Sequence, residues 1–132
     1  MFQTRNIVKE YLNMSSDLKI EISPINAKEL VQNSQLIISQ LTEDSLVKIR
    51  EYILDNLASL DGGPSITNLS VTNLKYNSNT QKGSFRLKFQ IDRQYCCSDV
   101  QACANDYLDF DFNMKDDKLF ACAEYFDWSL TN

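Results

Sequence analysis

The sequence predicts an α+β fold, with N-terminal helices packed on one face of a C-terminal antiparallel sheet of about four strands. Two patterns predict it. Through the first sixty residues apolar side chains recur mainly at helical spacing, and from about residue 65 they alternate with polar ones at period two. A third observation sets the organisation: no linker, low-complexity run or internal repeat divides the 132 residues, so 1–132 reads as a single domain. A domain of this size buries roughly 68–70% of its unfolded surface, enough for a core without covalent staples.

Residues 3–14 place Ile7, Val8, Tyr11 and Leu12 on one helical face. Asp17 to Ile22 (DLKIEI) alternates, with Leu18, Ile20 and Ile22 on one side, and reads as a short strand ended by Pro24. Asn26 followed by Glu29 resembles a capping box, and Leu30, Val31, Ile37, Ile38 and Leu41 continue one helical stripe behind it. Thr42 caps a clearer helix, with Glu43 and Asp44 favourably placed against the positive end of its dipole. Its apolar stripe runs Leu46, Ile49, Ile53, Leu57 and Leu60, and Gly62-Gly63-Pro64 is the expected stop.

Ser65 to Tyr76 is rich in Thr, Val, Ile and Leu and reads as a strand, followed by a polar turn over 77–83. Ser84 to Gln94 sends Phe85, Leu87, Phe89 and Ile91 one way and Arg86, Lys88, Gln90 and Asp92 the other. Tyr107 to Met114 sends Leu108, Phe110, Phe112 and Met114 inward and Tyr107, Asp109, Asp111 and Asn113 outward. Lys115-Asp116-Asp117-Lys118 is a short turn. Leu119 to Trp128 is apolar on both phases, as expected of a strand covered on both faces.

Charge is unevenly placed. Residues 1–104 carry eleven acids and eleven bases, so the net charge of -5 falls wholly in 105–132. That end holds Asp106, Asp109, Asp111, Asp116, Asp117, Glu124 and Asp127 against Lys115 and Lys118. An acidic field repels phosphate, so neither nucleic acid nor a membrane surface is an expected partner. No apolar run approaches the roughly 20 residues that span a bilayer, and MFQTRNIVKEYLNMSSD lacks the apolar segment of a secretory signal. A cytoplasmic protein is expected.

The absences exclude much chemistry. With no histidine there is no Ser-His-Asp or Cys-His pair and no histidine-bearing zinc site. Three glycines, Gly62, Gly63 and Gly83, allow no phosphate-cradling loop. The four cysteines, Cys96, Cys97, Cys103 and Cys122, lack the paired spacing of a zinc knuckle. They read as small buried thiols, with Cys122 in a strand core, in surroundings whose acidity disfavours a reactive thiolate. Asp109 and Asp111 leave one strand face roughly 6.6–6.8 Å apart, a separation that would suit an inverting glycosidase, but so short a chain offers little sugar cleft. Asp109-Phe110-Asp111-Phe112-Asn113 imitates the start of a calcium loop, yet Met114 stands where that loop needs glycine. No metal, cofactor or catalytic residue is expected.

The same geometry serves docking. Tyr107, Asp109, Asp111 and Asn113 form an outward row, and Asp106, Asp116, Asp117, Glu124 and Asp127 lie on or near the same hairpin. Tyrosine supplies rigid contact area, and clustered carboxylates engage lysine and arginine on a partner. A small acidic protein without catalytic equipment fits an inhibitor of a basic enzyme, such as a nuclease whose groove must attract phosphate.

Three segments, FRLKFQIDRQYCCSD, YLDFDFN and LFACAEYFDWSL, interleave charged or polar residues with aromatics. In this style, and in size and acidity, the chain resembles bacterial immunity proteins of contact-dependent growth inhibition and other polymorphic-toxin systems. The resemblance implies a cytoplasmic, non-enzymatic protein that neutralises a cognate toxin by binding it; it carries no site residue over. The alternative is a small α+β ligand-binding or enzyme-like domain, with Phe85, Phe89, Phe110, Phe112, Phe120, Phe126 and Trp128 lining a pocket between helices and sheet. A third expectation, self-association, rests on the two-sided apolar strand from Leu119.

Overall fold

The computed structural model describes residues 17–94 and 101–124, apart from the side chains of Gln101 and Glu124. The helix expected over 3–14, Cys96, Cys97, Phe126, Asp127 and Trp128 lie outside the described residues.

The described chain runs β1 (Asp17–Ile22), α1 (Ala27–Gln32), α2 (Leu36–Ser39), α3 (Glu43–Asp55), β2 (Ser65–Asn77), β3 (Lys82–Gln94), β4 (Gln101–Lys115) and β5 (Lys118–Glu124). The five strands form one antiparallel sheet in the order β1-β5-β4-β3-β2. The expectation of about four strands is corrected by β1. It precedes the helices in sequence but returns to pair with β5, from Asp17 opposite Glu124 to Ile22 opposite Leu119. A strand's neighbour is set by where its apolar face can be buried, and Leu18, Ile20 and Ile22 find the same core as Leu119, Ala121 and Ala123.

The helices cover that core on one side. Leu30, Ile37, Ile49 and Ile53 are fully buried against the inward strand residues. Asn26 caps α1, its side chain accepting from the N–H groups of Lys28 and Glu29. The single stripe expected from Leu30 to Leu41 breaks into α1 and α2, because the chain turns at Asn33, whose side chain accepts from the Gln35 N–H. Thr42 caps α3 through the Ser45 N–H. That helix ends at Asp55, short of the expected glycine stop, where the Asn56 amide donates back to the Tyr52 carbonyl. Leu57 still packs on the core, but Leu60 is exposed.

β3 pairs with β4 over its full length, from Lys82 opposite Asn113 to Gln94 opposite Gln101, without a bulge. Their inward rings stack, Phe85 on Phe110 with centroids 4.8 Å apart. Gly83 is required beside them. A Cβ there would meet the Lys75 carbonyl oxygen and come within 2.5 Å of the Phe112 ring. Gly83 lies between Tyr76 and Phe112 in register, and those two rings stack across it, nearly parallel at 6.0 Å.

β2 is an edge strand made unsuitable for pairing. It carries two bulges, each one residue long, between Thr67 and Ser70 and between Thr72 and Lys75. Asn68 and Asn73 sit in them at φ 54 and 55, the left-handed region that asparagine tolerates best after glycine. The five-residue segments TNLSV and TNLKY are thus a short tandem repeat, contrary to the expectation of none. Between the bulges, the Gln35 side chain donates to the Val71 carbonyl (2.6 Å) and accepts from the Val71 N–H (3.2 Å), occupying the edge as a neighbouring strand would. At the far end, Asp116 and Asp117 both take positive φ, as a two-residue type I′ hairpin turn requires.

Two variants test this packing by denaturant unfolding. Gly83→Ala is expected to destabilise the protein by about 3 kcal/mol, since the added carbon meets backbone as well as a ring. Asn73→Gly should be close to neutral, whereas Asn73→Ala should cost about 1 kcal/mol for the left-handed backbone.

Candidate interface on the open sheet face

The strand residues that point away from the helices form a second face, which is largely exposed among the described residues. Tyr107, Asp109, Asp111 and Asn113 stand on it in an exposed row, as alternation predicts. Asp106 does not belong to that row. By the same alternation it shares the helix-side face with Leu108 and Phe110, and its carboxylate accepts from the Tyr107 N–H at 2.8 Å. Asp116 and Asp117 occupy the exposed β4–β5 turn, and the Asp117 carbonyl accepts from the Ile25 N–H at 2.9 Å. Glu124 ends β5 opposite Asp17.

The row is not a free acidic strip. Arg86 on β3 stands directly opposite Asp109 and forms a two-pronged ion pair, Nε to Oδ1 at 2.8 Å and Nη2 to Oδ2 at 3.1 Å. Its guanidinium also lies over the Tyr107 ring, 3.8 Å from the centroid. The hydrogen bonds to Asp109, more than any other contact, hold the Arg86 pKa above its usual value against some desolvation. Lys82 and Lys88 flank Arg86 along β3, so a basic row runs beside the acidic one. The outer face as a whole is therefore of mixed sign. Acids also stand on the helix layer, where α3 exposes Glu43, Asp44, Glu51 and Asp55.

A second polar group is built around Asp92 on β3. Its carboxylate accepts from Thr67 Oγ1 at 2.7 Å and from Gln90 Nε2 at 2.5 Å, and Asn68 Nδ2 donates on to Gln90 Oε1 at 2.9 Å. The Cys103 thiol stands opposite Asp92 in register and interacts with its carboxylate. These bonds, Thr67's first, hold the Asp92 carboxyl below its usual range, while the same contact raises the Cys103 thiol. Cys103 is thus the opposite of an activated nucleophile.

Two cysteine expectations are corrected. Cys103 and Cys122 are exposed on the outer face rather than buried, because both sit on the outward phase of their strands. Among the described residues no group of three or more acids and thiols is placed to hold a metal ion. The D-x-D-x-N segment that imitates a calcium loop lies within straight β4, its two phenylalanines buried. The outer face of β5 is likewise not covered: Phe120 is 39% exposed where the sequence argues for burial on both sides.

Phe120 lies in a groove of about 590 Å³. Lys19 and Glu21 of β1, Lys82 of β3, Asp111 and Asn113 of β4 and Cys122 of β5 surround it, with Lys48 of α3. A smaller one of about 300 Å³ lies beside the Arg86–Asp109 pair, between Lys75, Ser84 and Asp111. Phe85, Phe110 and Phe112, expected around a pocket between helices and sheet, pack on one another in the core, while Phe112 also borders the larger groove and Phe85 and Phe110 the smaller one.

Sequence reasoning found the β4 row and missed Arg86, Asp92 and Gln35 as partners. The signal for Arg86 was present: β3 and β4 alternate in phase, and an arginine and an aspartate each occupy an outward site. No protein family matches the chain, and neither a curated protein nor a solved structure is significantly similar to it.

The Asp92 group gives a pH test. A carboxyl whose pKa is lower folded than unfolded stabilises the fold above the unfolded value, near pH 4, and that contribution disappears as pH falls through the folded value. The stability difference between wild type and Asp92→Asn should therefore be full at neutral pH and shrink steadily below about pH 4, measured by thermal unfolding across the range.

Proposed function

We propose that the chain is a non-enzymatic cytoplasmic binding protein of the immunity type, which neutralises a basic toxin, nuclease-like in charge, by stoichiometric docking on the open sheet face. The observation that carries this reading is the face itself. A ladder without a bulge holds Tyr107, 38% exposed, and the Arg86–Asp109 pair in fixed positions, and nothing described covers them. Rigid aromatic and arginine groups, already ordered before contact, lose little entropy on binding.

Asp109 is committed to Arg86, so Asp111 and the turn pair Asp116 and Asp117 are the acids placed to meet lysine or arginine on a partner. No helix described is long and apolar enough to cross a membrane.

Capture from a lysate of the source organism tests the reading. Wild type is expected to retain one basic protein at equal stoichiometry, and adding back the chain should suppress that protein's toxicity. Tyr107→Ala/Asp111→Lys should weaken the complex by about 100-fold, while Glu51→Lys on α3 leaves it intact. Retention by the face variant together with loss in Glu51→Lys would move the docking surface to the helices.

A further inference from the structure

We infer that the groove around Phe120 is a binding site for a small aromatic carboxylate. Its volume, about 590 Å³, lies within the range of ligand sites, roughly 300–1,000 Å³. Phe120 is the one phenylalanine among the described residues that is not buried, and it stands in this groove. An exposed ring there offers a planar apolar surface to a second ring.

The charge of the groove selects an anion. Lys19, Lys48 and Lys82 come from β1, α3 and β3, three separate elements, and converge on one depression. None of the three forms an ion pair among the described residues. Glu21 and Asp111 line the same groove, which leaves a surplus of one positive charge in a chain of net charge -5. The long-range field of the protein repels anions, so this surplus is local. It favours a monoanion and disfavours a more highly charged phosphate. An ammonium–carboxylate hydrogen bond is charge-assisted and strong when one side is apolar. Lys48 is the one α3 residue that reaches the groove. The site does not depend on the docking reading, since it needs no protein partner.

Titration of the ¹⁵N-labelled full chain with naphthoate, followed by amide shifts, tests the site, with uncharged naphthamide as the control. Saturable binding is expected, with shifts confined to residues 19–21, 48, 82, 111–113 and 120–122. Naphthamide should bind at least about tenfold more weakly, as should naphthoate to Phe120→Ala and to Lys19→Gln/Lys48→Gln/Lys82→Gln. Circular dichroism checks that both variants are folded. If the triple variant is not, Lys48→Gln alone should weaken binding about threefold. Equal binding of naphthamide, shifts centred elsewhere, or no saturation by about 10 mM would overturn the assignment.

Discussion

The β3–β4 ladder is the constraint on which the rest of the structure depends. Its thirteen consecutive pairs hold one register from Lys82–Asn113 to Gln94–Gln101. A slip of one residue would carry Phe85, Phe89, Phe110 and Phe112 from the core to the solvent and bring Arg86 and Asp109 inside. The register is therefore fixed from both faces at once: by stacked rings within, and by a paired arginine and aspartate without. β2 and β5 add to this ladder on either side, β1 closes the far edge, and the helices cover the ring face.

The edges are finished by different means. β2 is long enough to invite another strand, but its two asparagine bulges and the Gln35 amide interrupt the row of free backbone groups. β1 is short and carries Asp17, Lys19 and Glu21 on its outer side. These devices leave a sheet face of side chains, rather than a free backbone edge, as the surface exposed among the described strands.

Much of the fold was legible because alternation reports directly on which face a strand residue occupies. DLKIEI, FRLKFQI and YLDFDFNM each sort cleanly, and the structure places their residues as sorted. Pairing partners were less legible, since nothing in DLKIEI says that it returns to β5 after three helices. Charge was the least legible. Counting along the chain isolates the acids of β4, because strand neighbours in space are not neighbours in sequence. The sheet lays Lys82, Arg86 and Lys88 beside Asp109 and Asp111, and the apparent acidic strip becomes a mixed surface with one committed ion pair. Cys122 and Phe120 misled for a related reason: apolar character on both phases of β5 reads as two-sided burial, whereas here it supplies the floor of a groove.

The central claim is that the sheet face left open among the described residues is available for contact. Paramagnetic broadening by a soluble, uncharged gadolinium chelate measures this directly on the full-length chain. The account predicts strong broadening of side-chain signals from Tyr107, Asp109, Asp111, Phe120 and Cys122, with Leu108, Phe110, Phe112 and Leu119 left sharp. Equal protection of the two sets would contradict it, because the outer face would then be as covered as the core.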